Sequence, residues 1–139
     1  MTELLRTLMA LTTGAMLALT PLSAGAVDEV SLGIFQAEHG EQDYAVTLCG
    51  DDGKHLCVKL VALRKGSDTP RGREFLGVNI IDTIKPSGPN TWKGTVTYQG
   101  KSADGFVKVV PFTSFFMHGC AYIVLCLDIT LDPKPGQKP

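Results

Sequence analysis

Short apolar stretches rich in Val, Ile, Thr, Phe and Tyr recur between clusters of Gly, Asp and Pro, and no window of about eleven residues keeps a 3.6-residue period. That pattern predicts an all-β chain. Strands are expected at Val30 to Ala37, Tyr44 to Cys49, His55 to Leu63, Phe75 to Ile81, Thr91 to Tyr98, Gly105 to Val110, Thr113 to Met117 and Ala121 to Leu131. Seven or eight short strands over such a length suit a small antiparallel barrel or a sandwich, which alternation alone does not separate.

Two hairpins stand out. Asp51-Asp52-Gly53-Lys54 lies between Tyr44 and Leu63, and Asp-Gly supplies the positive backbone angles of a tight reversal. Centring that turn on Gly53 sets Cys49 opposite Cys57. The second joins Val96-Thr97-Tyr98 to Phe106 through Val110 across Gln99 to Gly105. Between the first hairpin and the next strand, Arg64 to Arg73 is a polar segment that reads as a solvated connection, with a rim or lid as the other reading. From Asp132 to Pro139, three prolines and two lysines oppose regular structure, so a disordered tail is expected over 132–139.

Residues 1–26 follow a different logic. Arg6 precedes a 12-residue apolar run, Leu8 to Leu19, and then the small residues Ser23, Ala24, Gly25 and Ala26. This reads as a cleaved secretory signal peptide. The run is short of the roughly 20 residues that span a bilayer, and Pro21 stops its helix, so no membrane span is expected after cleavage. Ala24-Gly25-Ala26 places the mature start at Val27; Glu3 departs mildly from a basic leader, and no cysteine follows for lipid attachment. Of 13 basic and 14 acidic residues in the 139, the leader takes Arg6 and Glu3. The near-neutral remainder forms one domain, 27–131, and its charge opposes a nucleic-acid partner.

Four cysteines in an exported domain point to two disulfides. Local pairing, Cys49 with Cys57 and Cys120 with Cys126, is the expectation. The first closes nine residues, worth roughly 2.5 kcal/mol on the chain-entropy model. The second conflicts with a straight strand from Ala121 through Leu125, which would hold the two cysteines about 20 Å apart. His55-Leu56-Cys57 and His118-Gly119-Cys120 repeat a His-x-Cys spacing that turns both side chains to one face of a strand. A copper or zinc site is the alternative there, but it requires free thiolates and lacks standard zinc spacing, so no metal and no cofactor is expected. The motifs of serine hydrolases, phosphate-binding loops and zinc proteases are missing, and Asp51-Asp52 are explained by their turn. The expectation is therefore a non-enzyme.

At Cys49-Gly50, Leu56-Cys57, Leu76-Gly77, Trp92-Lys93-Gly94 and Gly119-Cys120 to Leu125-Cys126, the chain resembles the bacterial domain-of-unknown-function 2147 family of small exported proteins. It departs from that family in three places: Gly33-Ile34-Phe35 carries Phe35 where the family has Trp, the first hairpin is longer by two residues, and Leu127-Asp128-Ile129-Thr130 lacks the family's Trp. The resemblance implies a lipocalin-like antiparallel β-barrel in a bacterial periplasm or secreted, and it implies no activity.

Barrels of about eight strands are either filled by side chains or just wide enough for one small ligand. The expected function is a non-enzymatic module holding a small apolar or amphipathic molecule. Inward candidates are Phe35, Leu48, Leu60, Ile80, Trp92, Val96 and Phe106, with Val46, Val58, Val78 and Ile123 beside them. A structural or interaction protein of the cell envelope, using a sheet edge or the Arg64 to Arg73 loop and a partner of unknown identity, is the alternative, and a His/Cys metal-binding protein is the third.

Overall fold

The computed structural model describes residues 29–98, 101–121 and 125–139. The segment expected as a leader, Gln99 and Gly100 of the expected second turn, and Ile123, expected to point inward, lie outside the described residues. Eight antiparallel strands pair in sequence order and close on themselves as a barrel: β1 (Val30–Ala37), β2 (Gln42–Cys49), β3 (His55–Leu63), β4 (Asn79–Gly88), β5 (Thr91–Tyr98), β6 (Lys101–Val110), β7 (Ser114–Ala121) and β8 (Leu125–Pro133). The only α-helix among the described residues is a single turn, α1 (Pro70–Arg73). None there is long and apolar enough to cross a membrane.

Strand alternation builds the core. Tyr44 and Val46 on β2, Leu56, Val58 and Leu60 on β3, Val107 and Val109 on β6, and Phe115 and Met117 on β7 all point inward and are buried. Phe35 and Phe115 meet across the interior with ring centroids 5.8 Å apart. An apolar interior is the reverse of a lipid-facing barrel, whose lumen is polar.

Besides Lys101 to Asp104, which were expected in the second turn and instead open β6, paired with Tyr98 to Thr95, three expectations about strands need correction. Phe75 to Val78 are not strand: they continue the turns after α1, with Leu76 N–H bonded to Arg73 O and Val78 N–H to Phe75 O. The strand begins at Asn79 and runs past Ile81 to Gly88, through Pro86. Pro86 is tolerated because β4 changes partners along its length. It pairs with β3 at Asn79, Ile81 and Ile84, then with β5 at Lys85, Pro86 and Gly88, where the register shifts. Thr83, between Ile81 and Ile84 and just before the change of partner, has φ of 55°, a bend that marks a barrel corner. Secondly, the run expected as one strand from Ala121 to Leu131 is a hairpin in which Ala121 pairs with Leu125. Thirdly, Asp132 and Pro133, expected in a disordered tail, complete β8 and pair with Gln36 and Phe35.

Those two pairs are the whole strand register between β8 and β1, and other contacts extend the seam. Phe112 N–H bonds Leu32 O at 2.8 Å and Lys134 N–H bonds Ile34 O at 2.9 Å. Gly33 makes room for this crossing: at φ of 119° it faces Phe112, whose atoms would lie 3.3 Å from a Cβ. The Gln137 carboxamide accepts from Ile34 N–H at 2.7 Å and donates to Ile34 O at 2.8 Å. Buried Asp43 then joins four segments, accepting from Gln36 (2.8 Å), both guanidinium ends of Arg64, and Lys134 Nζ (3.0 Å). Burial pushes the Asp43 carboxyl up, but hydrogen bonds from Arg64, Gln36 and Lys134 and the charge of Arg64 outweigh it and bring the pKa down to about 2.

Candidate functional site

One end of the barrel is open. Gln42 and Tyr44 of β2, Leu60 and Leu63 of β3, Asn79 and Ile80 of β4, Thr97 of β5 and Lys101 of β6 converge there around a cavity of about 490 Å³. The Arg64 to Arg73 segment forms its rim rather than a plain connection, contributing Ser67, Thr69, Arg71 and Gly72, with Phe75 beyond it.

The local sequence explains the shape of that rim. Thr69 caps α1 by accepting from Gly72 N–H at 3.0 Å, and Pro70 occupies the first helical turn, where its missing N–H costs nothing. Gly72 is required by space, since a Cβ there would lie 2.5 Å from Ser67 O. Ser67 Oγ donates to Glu41 at 3.1 Å and accepts from Gln42 at 3.2 Å, while Gln42 accepts from the Tyr44 hydroxyl at 2.7 Å. Behind the rim, Gly77 N–H bonds Leu60 O at 2.7 Å. Arg73 donates to Asp68 at 2.7 Å, which lowers the Asp68 pKa first through the hydrogen bond and then through charge. Arg71 and Lys101, by contrast, have no carboxylate partner among the described residues. The cavity thus joins an apolar floor of Tyr44, Leu60, Leu63, Phe75 and Ile80 to a mouth with two available cations.

Of the seven expected lining residues, Leu60 and Ile80 line the cavity. Phe35, Trp92 and Val96 are buried in the packed core, with Val46 and Val58, and Leu48 packs against it half-buried. Trp92 points to the opposite end, where its indole N–H donates to Lys54 O at 2.8 Å and ties down the β2–β3 turn. Val78 lines the cavity from its rim, about half exposed. Phe106 was expected inside but faces outward, because Val107 and Val109 take the inward parity of β6. Its ring stacks on His118 with centroids 5.3 Å apart. Tyr44, Leu63, Phe75 and the cations were missed by sequence reasoning; the length of the rim segment was their only signal.

Both disulfides form as paired in sequence, on the outer wall. Cys49 is not directly opposite Cys57, however. Cys49 pairs with His55 and Thr47 with Cys57, so the turn centres on Asp52 and the bridge is diagonal. Asp52 accepts from Lys54 N–H at 2.9 Å and from His55 Nδ1 at 2.9 Å, which lower its pKa in that order. Cys120 pairs directly with Cys126, and neighbouring His118 pairs with Asp128. The donor atoms of His118, Cys120 and Cys126 lie within 4.8 Å of one another, but two of the three are sulfurs bonded to each other, which removes the thiolates a soft-metal site needs. Comparison with known proteins finds no matching family model, no matching curated protein and no matching solved structure for this chain.

Proposed function

We propose that the protein is an exported, non-enzymatic binding module that holds one small amphipathic molecule in the open end of its barrel. The observation that carries this reading is the cavity of about 490 Å³, within the usual size of a small-molecule site and floored by apolar side chains. Arg71 and Lys101 at the mouth favour a ligand with an anionic group at one end. Export draws support from the leader-like 1–26 segment and from two disulfides, which persist in oxidising compartments. Kinship with the domain-of-unknown-function 2147 family belongs to the same proposal and rests on the hairpin and glycine motifs alone.

The test is titration with an anionic naphthalene-sulfonate dye and displacement by a medium-chain fatty acid. Saturable binding at one site is expected, abolished by Ile80→Trp, which fills the cavity, and weakened about tenfold by Arg71→Glu with Lys101→Glu. Failure of the wild type to bind either probe saturably would reject the proposal. A second reading, an interaction protein, draws support from β8: Leu125 and Leu127 are 64% and 54% exposed, and the strand before Asp132 has no register with β1.

A further inference from the structure

The outer wall over β6, β7 and β8 carries two adjacent rows of cross-strand neighbours. One runs Phe106, His118, Asp128; the other runs Asp104, Cys120, Cys126. Within this array three contacts position the His118 imidazole, which stays about one-third exposed. Phe106 stacks on its face, Asp128 Oδ1 lies 2.5 Å from Nδ1, and Cys120 Sγ lies 3.3 Å from Nε2. With the Nδ1 proton donated to Asp128, the Nε2 lone pair is aimed at the Cys120 sulfur. Carboxylate, imidazole and sulfur in line is the arrangement that handles the proton of a reactive thiol. Here that sulfur is held in a disulfide whose other half, Cys126, is exposed. A shallow hollow lined by Thr95, Ser102, Ala103 and Asp104 adjoins Cys120.

We propose that Cys120–Cys126 is a thiol–disulfide exchange site, with a low-molecular-weight thiol as the reducing co-reactant. A thiolate attacks the exposed Cys126 sulfur. The S–S bond breaks, its electron pair goes to Cys120, and the proton lost by the attacking thiol comes to rest on His118 Nε2, giving a mixed disulfide on Cys126 beside a thiolate–imidazolium pair. A second thiol attacks the mixed disulfide at the small-molecule sulfur. The electron pair of that bond returns to Cys126, which takes up the second thiol's proton, and the oxidised small-molecule disulfide leaves. Two thiols are oxidised and one protein disulfide is reduced. The direction of attack follows from access and from the leaving group: Cys126 is open to solvent, and only Cys120 has a base beside it to stabilise the displaced thiolate.

The experiment uses the oxidised protein treated with 2-mercaptoethanol, quenched with acid at intervals, alkylated and mapped by peptide mass. Cys120–Cys126 should open at least about tenfold faster than Cys49–Cys57, with the adduct on Cys126. His118→Phe, which keeps an aromatic ring against Phe106, should slow that opening about tenfold while leaving the rate at Cys49–Cys57 and the melting temperature unchanged. Asp128→Asn should slow the same step without moving the adduct, as expected of a residue that positions the imidazole. Equal opening of the two disulfides, an adduct mainly on Cys120, or no effect of His118→Phe would each overturn the proposal. Should His118→Phe not fold, Cys126→Ser leaves Cys120 as the lone thiol; alkylation by iodoacetamide no faster than that of a free cysteine would overturn it equally.

Discussion

The β2–β3 and β7–β8 hairpins each carry a His-x-Cys segment, a carboxylate bonded to the histidine and a disulfide on the outer wall, yet they place these parts differently. In β2–β3 the bridge is diagonal, Cys49 and Cys57 are each 8% exposed, and Asp82 and Thr83 of the bent strand β4 bring oxygens within 3.9 Å of the Cys57 sulfur. Its histidine opens β3 and is engaged by the turn, where Asp52 accepts from His55 Nδ1. In β7–β8 the bridge joins directly opposed residues, Cys126 is exposed, and His118 reaches the sulfur itself. Covering and register, rather than residue type, separate a staple from a reactive centre.

Four measurements press on that comparison. The largest effect is expected from replacing each cysteine pair by alanine and following urea denaturation. The closed loops of nine and seven residues carry almost the same chain-entropy contribution, about 2.5 and 2.3 kcal/mol. The difference between the variants therefore reports packing. Cys49→Ala with Cys57→Ala should cost about 3 kcal/mol and the other pair about 2 kcal/mol; equal losses would erase the distinction between covered and open.

Acid should act on the β2–β3 hairpin next. Asp43 titrates near 2 in the fold against 3.8 as its ordinary value, so the folded state favours its charged form. The stabilisation, about 2 kcal/mol, is fully present above about pH 4 and disappears as the pH falls through 2. Asp43→Asn should flatten the melting temperature between those limits, and an unchanged acid profile would show that the base of this hairpin is not clamped by charge.

A smaller loss, about 1 kcal/mol, is expected from Trp92→Phe, which removes the hydrogen bond to Lys54 O that anchors the turn of the covered hairpin. Urea denaturation would read it, together with faster amide exchange confined to residues 50–54. The smallest, about 0.5 kcal/mol, belongs to Phe106→Ala, because this ring lies half-buried on the outer wall, against His118, Phe116 and the Lys108 ammonium, and not in the core. A loss above 2 kcal/mol in the same denaturation experiment would place Phe106 among the core residues after all.

Much of this architecture was legible in the chain. Strands β1, β3 and β5 fall where alternation places them, because each is bounded by glycine, proline or aspartate and has one apolar face. The pairing of Ala121 with Leu125 leaves no sign in the sequence, because residues 121–125 are uniformly apolar with no Gly, Pro, Asn or Asp among them, so the second disulfide, awkward for a straight strand, is the clue to the reversal. β4 was misplaced because Pro86 and Thr83 oppose a regular strand, and only the change of partner at the barrel corner accommodates them. Phe106 is among the inward candidates of the sequence reading, whereas Val107 and Val109 fix the parity of β6 and turn it outward. The cavity was less legible still: its rim comes from a polar segment that has no apolar period, and its floor brings together residues as distant in sequence as Tyr44 and Ile80.

The Gln137 side chain presents Ile34 with one acceptor and one donor, the same pair of groups that a strand residue would offer through its own peptide. A primary amide on a rotatable stem thus stands in for a missing rung of the ladder, and unlike a strand it can let go one residue at a time. Protection of the Ile34 amide against deuterium exchange should accordingly follow the attachment of the last residues, while Val46 and Val58, inside the barrel, follow global unfolding. The two ends of the described chain meet at a fastening whose strength can be read separately from the stability of the fold it closes.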